Sequence, residues 1–188
     1  MRLTDQTLLT QIAYSDRDTG VRVEATFKIK NQETLEIIAS TDAKWKVRCV
    51  AVQNLTNQAA LIRLAQKEAN YLVSGEIFHK IKNNQDAVID IALKKPVAEI
   101  RAQAIQVVKE KWVKEKLALT DPDEHVRKNA IYGLDDDLIK KIAESDASER
   151  VKKFAKRQLE IREKTRKEFA GLPPWKNNPN YEQRPKRY

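Results

Sequence analysis

Glycine is scarce in this chain, with four among 188 residues; there is one cysteine, Cys49, and aromatics are only 6%. Few glycines favour helices over sheets, because tight β-turns and bulges draw heavily on glycine. A lone cysteine excludes an intramolecular disulfide framework and fits a reducing compartment. No apolar run approaches the ~18 residues that a membrane-spanning helix needs. The repeat pattern described below begins at Leu3, which leaves no room for a signal or transit peptide, and an intracellular, cytoplasmic protein is expected. No G-x-x-x-x-G-K, G-x-G-x-x-G or G-x-S-x-G motif occurs. The only histidines, His79 and His125, lie far apart without H-E-x-x-H or Cys/His spacing, so they supply no metal-ligand set. Catalytic, cofactor and metal sites are all expected to be absent.

Excess charge is also missing from most of the chain. Residues 1–149 hold 23 Lys+Arg and 23 Asp+Glu, whereas residues 150–188 hold 13 and four. The whole formal charge of +9 therefore sits in the last 39 residues. Such asymmetry points to an acidic partner for the end of the chain rather than for its body.

What is present is a period. Leu3, Ile29, Leu55 and Ile81 lie 26 residues apart, as do Asp5, Asn31, Asn57 and Asn83. A period of 20–50 residues signals stacked supersecondary units. Each unit reads as two short helices. The first opens at the Asp5/Asn31/Asn57/Asn83 slot, where a short polar side chain can accept from the free N–H groups of the first turn. Its apolar stripe is Leu9–Ile12–Ala13, recurring as Leu35–Ile38–Ala39, Leu61–Leu64–Ala65, Val88–Ile91–Ala92 and Ile139–Ile142–Ala143, a helix face by its spacing. Three residues after the alanine comes Asp16, Asp42, Glu68, Lys95, Asp121 or Asp146. Asp121-Pro122-Asp123-Glu124 reads as cap, first-turn proline and acids at the helix N-terminus, and Asp146-Ala147-Ser148-Glu149 has capping-box spacing.

The second helix carries Val21, Val47, Val73, Ile100, Val126 and Val151, with Ala25, Ala51, Ile77, Ala104, Ala130 and Ala155 four residues on. Both sets should point inward, the alanines letting neighbouring helices approach. The register slips between the later units, and Lys109–Leu119 fits the first-helix pattern least well. About six units fit. The first has no repeat before it and no obvious cap, so an upstream domain or a docking partner is expected to cover it.

The recurring pattern D/N-Q-x-x-L-x-x-I-A-x-x-D-x-x-x-x-V-R-x-x-A resembles short HEAT-like repeats, close to the leucine-rich-repeat-variant type, over roughly residues 3–158. The resemblance implies an all-α, right-handed superhelical solenoid of about six helix pairs acting as a binding scaffold; it says little about chemistry. We therefore expect a solenoid over residues 1–158, a continuation of a basic C-terminal helix over 159–170, and an extended tail over 171–188. The arginine slot reads Arg22, Arg48, Ser74, Arg101, Arg127, Lys152, so the third unit breaks the basic ladder, with Gly75 beside the break.

Periodic residues usually serve the repeat itself, so the arginines are expected to pair with acids and carbonyls at neighbouring turns rather than form a ligand ladder. Trp45 and Tyr71 occupy equivalent slots in adjacent units. Either they form an aromatic step or, the favoured reading, they pack over the turn between helices; with Ser74 and Gly75 they mark a possible protein-contact surface. Trp112 is expected to fill the core of the irregular fifth unit, and Cys49 to be a buried, inert thiol. Asp135-Asp136-Asp137 falls at a helix start, where capping explains it better than metal binding.

The C-terminal segment is the strongest functional candidate. From Val151 one helix should run to about Ala170, with Val151, Phe154, Ala155 and Leu159 closing the stack and Gly171 stopping it. It carries Lys152, Lys153, Lys156, Arg157, Arg162, Lys164, Arg166 and Lys167. The last 18 residues, with Trp175, Lys176, Tyr181, Arg184, Lys186, Arg187, Tyr188 and four of the six prolines, cannot build a core and should be extended or polyproline-like. Lysines and arginines would neutralise phosphates or an acidic protein while the aromatics stack on bases or fill pockets. The leading expectation is a non-enzymatic scaffold or adaptor holding a protein partner on its repeat surface and anchored by this tail to RNA or an acidic assembly such as a ribonucleoprotein particle. Its oligomeric state is open. The alternatives are a pure protein-binding module without nucleic acid, and an enzyme similar to HEAT-like DNA glycosylases, which hold alkylated DNA in a basic groove with Trp, Asp and Arg.

Overall fold

The computed structural model describes residues 4–170. Among these, twelve helices and no strand are found: α1 (Gln6–Ser15), α2 (Thr19–Lys28), α3 (Gln32–Thr41), α4 (Trp45–Asn54), α5 (Gln58–Ala65), α6 (Tyr71–Ile81), α7 (Gln85–Lys94), α8 (Ala98–Val107), α9 (Lys111–Thr120), α10 (Glu124–Ala130), α11 (Asp136–Ser145) and α12 (Glu149–Phe169). None is long and apolar enough to cross a membrane. The helices fall into two compact units, α1–α10 and α11–α12.

In the first unit each odd-numbered helix packs on the next, and the second helices α2, α4, α6, α8 and α10 pack side by side in chain order. Neighbouring first helices touch less. The helices begin where short polar residues satisfy the first turn. Asp5 Oδ1 accepts from the Thr7 and Leu8 N–H groups (2.8 and 3.2 Å), so α1 is capped after all. Asn31 and Asn57 cap α3 and α5 in the same way. The cap of α7 is Asn84 rather than Asn83, because α6 carries eleven residues and pushes the register forward by one. That insertion accounts for the 27-residue step from Val73 to Ile100.

The inward positions are those of the repeat. Val47, Val73, Val126 and Val151 are fully buried, as are Ala51, Ile77, Ala104, Ala130 and Ala155. Each fully buried large apolar side chain contributes roughly 1.5–3 kcal/mol. Val21 departs from its set and is exposed, since among the described residues α2 has no second helix before it. In α9 the expected inward position is Lys114; Val113 takes its place beside Leu117 and Ala118, which is why this stretch matched the pattern poorly. Trp112 is not a core filler. It is 52% exposed, because Val113 one residue on turns into the core and a helix swings successive side chains by about 100°. Gly133, at φ 91° beyond the end of α10, adopts the left-handed conformation that closes helices without a Cβ penalty.

The acid slot does not start helices. Asp16, Asp42, Asp121 and Asp146 are the closing residues of α1, α3, α9 and α11. The residues before α2, α10 and α12 are Asp18, Asp123 and Ser148; Pro122 thus precedes the helix. The slot instead ties the turn: Asp16, Asp42, Glu68, Asp121 and Asp146 each accept from the N–H two residues on, at 2.7–2.9 Å.

Candidate nucleic-acid interface

The arginine column is consumed by the fold. Arg22 donates from Nε and Nη2 to Asp42 (2.9 and 3.1 Å) and from Nη1 to the Asp16 carbonyl (3.0 Å). Arg48 repeats this on Glu68 (2.7 and 2.9 Å) and the Asp42 carbonyl. Arg101 repeats it on Asp121 (2.8 Å twice) and the Lys95 and Pro96 carbonyls, and Arg127 donates to the Asp121 and Pro122 carbonyls. Each fork thus takes the turn of its own helix pair, and Arg22, Arg48 and Arg101 also take the acid of the next one. Among the described residues no buried side-chain nitrogen or oxygen lacks a partner. A guanidinium held from both sides has little left to offer a ligand.

These pairs set the response to acid. Burial alone would raise the Asp42 carboxyl, but the Arg22 guanidinium and the Lys44 N–H outweigh it and hold the group below its usual value. Glu36 is lowered by Arg63, and Asp136 by Arg162 and Arg166. A lowered folded-state pKa stabilises the fold above the unfolded value, near ~4, and that stability is lost as pH falls through the folded value. The urea midpoint should accordingly be flat from about pH 8 to 5 and drop below about 4. Asp42→Asn should make the drop shallower. An unchanged midpoint at pH 3 would contradict the role given to these pairs.

The surface residues of the first unit separate. Trp45 is 37% exposed with the Lys46 ammonium 5.8 Å from its ring centroid, and Tyr71 is 64% exposed. Tyr71 therefore projects rather than packing over a turn. It lines a cavity of about 210 Å³ with Ala98, Gln106, His125 and Asn129. Gly75 is exposed, but Ser74 is buried and cannot touch a partner; its hydroxyl donates to Gln103 Oε1 at 2.8 Å. Cys49 is half-buried, and desolvation raises its thiol pKa, which suits an inert group. Phe27, Leu72 and Tyr132, also largely exposed, escaped the sequence reading because each falls outside the repeated apolar slots.

In the second unit α11 packs on α12. Val151 and Ala155 are buried there with Ile139, Ile142 and Ala143 of α11. Asp136 does not act as a cap in its helix. It accepts from Arg162 Nη1 (2.8 Å) and from Arg166 Nη2, one turn further along α12. Two of the candidate phosphate-binding arginines thus share one carboxylate within the protein. Lys152 pairs with Glu149, Lys164 with Glu168 and Lys167 with Glu163. Lys153, Lys156 and Arg157 differ: all three are exposed, and none makes an ion pair among the described residues. Their spacing of three and four places them on one face, within a turn of one another. Trp175, Lys176, Tyr181, Arg184, Lys186, Arg187 and Tyr188 lie outside the described residues. No cluster of three or more His, Cys, Asp or Glu able to hold a metal ion occurs among the described ones.

Comparison with known proteins finds no matching family, no matching curated protein and no matching solved structure.

Proposed function

We propose that the chain is a non-enzymatic scaffold, a right-handed superhelical solenoid of about six HEAT-like helix pairs, that anchors itself to RNA through residues 150–188 and holds a protein partner on its repeat surface. The observation carrying this reading is the contrast between the charges. The repeat-slot arginines Arg22, Arg48, Arg101 and Arg127 are spent on turns and carboxylates, whereas Lys153, Lys156 and Arg157 stand exposed on α12 without ion pairs among the described residues. The sequence after Gly171 is basic and aromatic, so it supplies further cations and stacking groups for RNA. The commitment of the repeat arginines and acids to one another also counts against the glycosylase-like reading, which needs such groups facing a substrate. Excision of an alkylated base by the purified protein would nevertheless overturn the non-enzymatic assignment.

The test is affinity for a single-stranded RNA oligonucleotide across a salt series. Each phosphate neutralised contributes about −0.7 to the slope of log K against log salt. Lys153→Ala, Lys156→Ala and Arg157→Ala together should flatten the slope by about 2, and a chain ending at Gly171 should bind more weakly still. Unchanged affinity of that shorter chain at low salt would remove the tail from the anchor. Capture of a defined protein that persists after nuclease treatment, with no RNA binding, would replace this proposal by a pure protein-binding module.

A further inference from the structure

Three of the four successive junctions in the first unit share one set of fastenings, and the third in chain order lacks them. Arg22–Asp42 joins the first helix pair to the second, Arg48–Glu68 the second to the third, and Arg101–Asp121 the fourth to the fifth. Between the third and fourth pairs the arginine is Ser74 and the acid is Lys95. Both members are changed together, which avoids an unpaired buried charge but leaves no ion pair. What remains is the neutral Ser74–Gln103 bond and a Lys95 ammonium that donates to Gln66 on the surface.

A second fastening fails at the same place. Gln6, at the start of α1, donates to the Lys28 carbonyl and accepts from the Lys30 N–H, clamping the turn that leads to the next pair. Gln32 clamps Asn54 and Thr56, and Gln85 clamps Val107 and Lys109. Gln58, the equivalent residue of the third pair, makes no such bonds among the described residues, so the turn after α6 lacks the clamp from its own pair and keeps only the Gln85 amide of the next pair on the Lys82 carbonyl. The helix leading into that turn, α6, also carries the inserted residue. It ends at Lys82 in the right-handed helical region, whereas α2, α4 and α8 end in extended conformation. The α5–α7 and α6–α8 contacts are the sparsest between neighbouring helices of their layers in this unit.

We propose that the first unit bends at a hinge in the turn 82–84, about which α1–α6 and α7–α10 move as two blocks. The cavity lined by Tyr71 on one side and by Ala98, Gln106, His125 and Asn129 on the other straddles this hinge, so bending opens and closes it. The inference does not depend on RNA binding.

Equivalent positions two repeats apart provide the test. In full-length protein carrying Cys49→Ser, spin labels at 27 and 79 span the two fastened junctions, whereas labels at 53 and 106 span one fastened junction and the hinge. The second distance distribution should be at least about twice as wide as the first. Copying the first junction with Ser74→Arg, Lys95→Asp and Gln103→Val should narrow it to the width of the first. Equal widths in the unaltered junctions overturn the hinge, and a folded graft that leaves the width unchanged overturns its cause. Should the graft fail to fold, amide exchange in the unaltered protein decides. Residues 78–88 should exchange about tenfold faster than 26–36 and 52–62, and equal protection across the three sets overturns the proposal.

Discussion

Arg101→Ala should destabilise the protein by about 3–5 kcal/mol, the largest loss expected from any single charged residue of the repeat. The side chains of Arg101 and Asp121 are only 9% and 3% exposed, against 58% and 26% for Arg63 and Glu36. Removing the guanidinium leaves the Asp121 carboxylate buried with the Asp123 N–H as its one remaining donor among the described residues. It also removes the side-chain donor from the Lys95 and Pro96 carbonyls. The cost is therefore that of a stranded buried charge, not the net worth of the pair. Arg101→Met with Asp121→Leu should recover most of the loss, because the desolvation penalty disappears with the charge. Arg63→Ala, at an exposed pair, should cost no more than ~1 kcal/mol. Urea denaturation compares the four proteins, and an Arg101→Ala loss below that of Arg63→Ala would sink the argument.

Phe78→Ala should cost about 3–5 kcal/mol, for the lost transfer energy and the cavity left behind. Phe78 is the largest fully buried side chain of the core. Its slot is filled in the other pairs of the first unit by Thr26, Val52, Ile105 and Ile131, all fully buried. Thr26 fits because its hydroxyl donates to the Arg22 carbonyl at 2.7 Å. The third pair, which has lost its arginine, thus carries the bulkiest apolar residue at the core position of α6. Its bulk is expected to offset part of what the missing ion pair would contribute there. Ile131→Val should cost only about 0.5–1.5 kcal/mol. Comparable losses for the two substitutions in thermal or urea unfolding would show that the third junction does not rely on Phe78.

The two results bear on different parts of what could be read in the chain. That position 78 lies inward follows from the period alone, as do Val47, Ala51 and Leu61, because a helix places residues three and four apart on one face whatever surrounds it. The arginine slot was visible too, and so was its pairing with acids. Which acid it meets was not: Arg22 finds Asp42 twenty residues on, across the boundary between two helix pairs, and nothing local distinguishes Asp42 from Asp16. The same limit explains the errors. Asp121 and Asp146 look like caps because an acid before a helix usually is one, yet their carboxylates close turns, and Asp121 also receives an arginine from the previous pair. Trp112 looks like core because it is large and apolar, but Val113 owns the inward direction. Asp136 looks like a helix-start acid until α12 brings Arg162 and Arg166 over it.

Within the candidate site, the basic composition of residues 150–188 was legible and the division of its charges was not. Composition counts Arg162, Arg166, Lys153 and Arg157 alike; only the packing of α11 on α12 tells that the first two share Asp136.

The sequence by itself determined the helices, their inward faces and the place where the repeat breaks, since these depend on spacings of three, four and about 26 residues along one chain. Tertiary structure alone decided which charges answer one another, that Ser74 and Lys95 are two halves of one missing ion pair, and that the turn after α6 lacks the clamp from its own pair. Those facts depend on residues twenty or more positions apart being brought within 3 Å, and the stacking of helix pairs, not local periodicity, sets that distance.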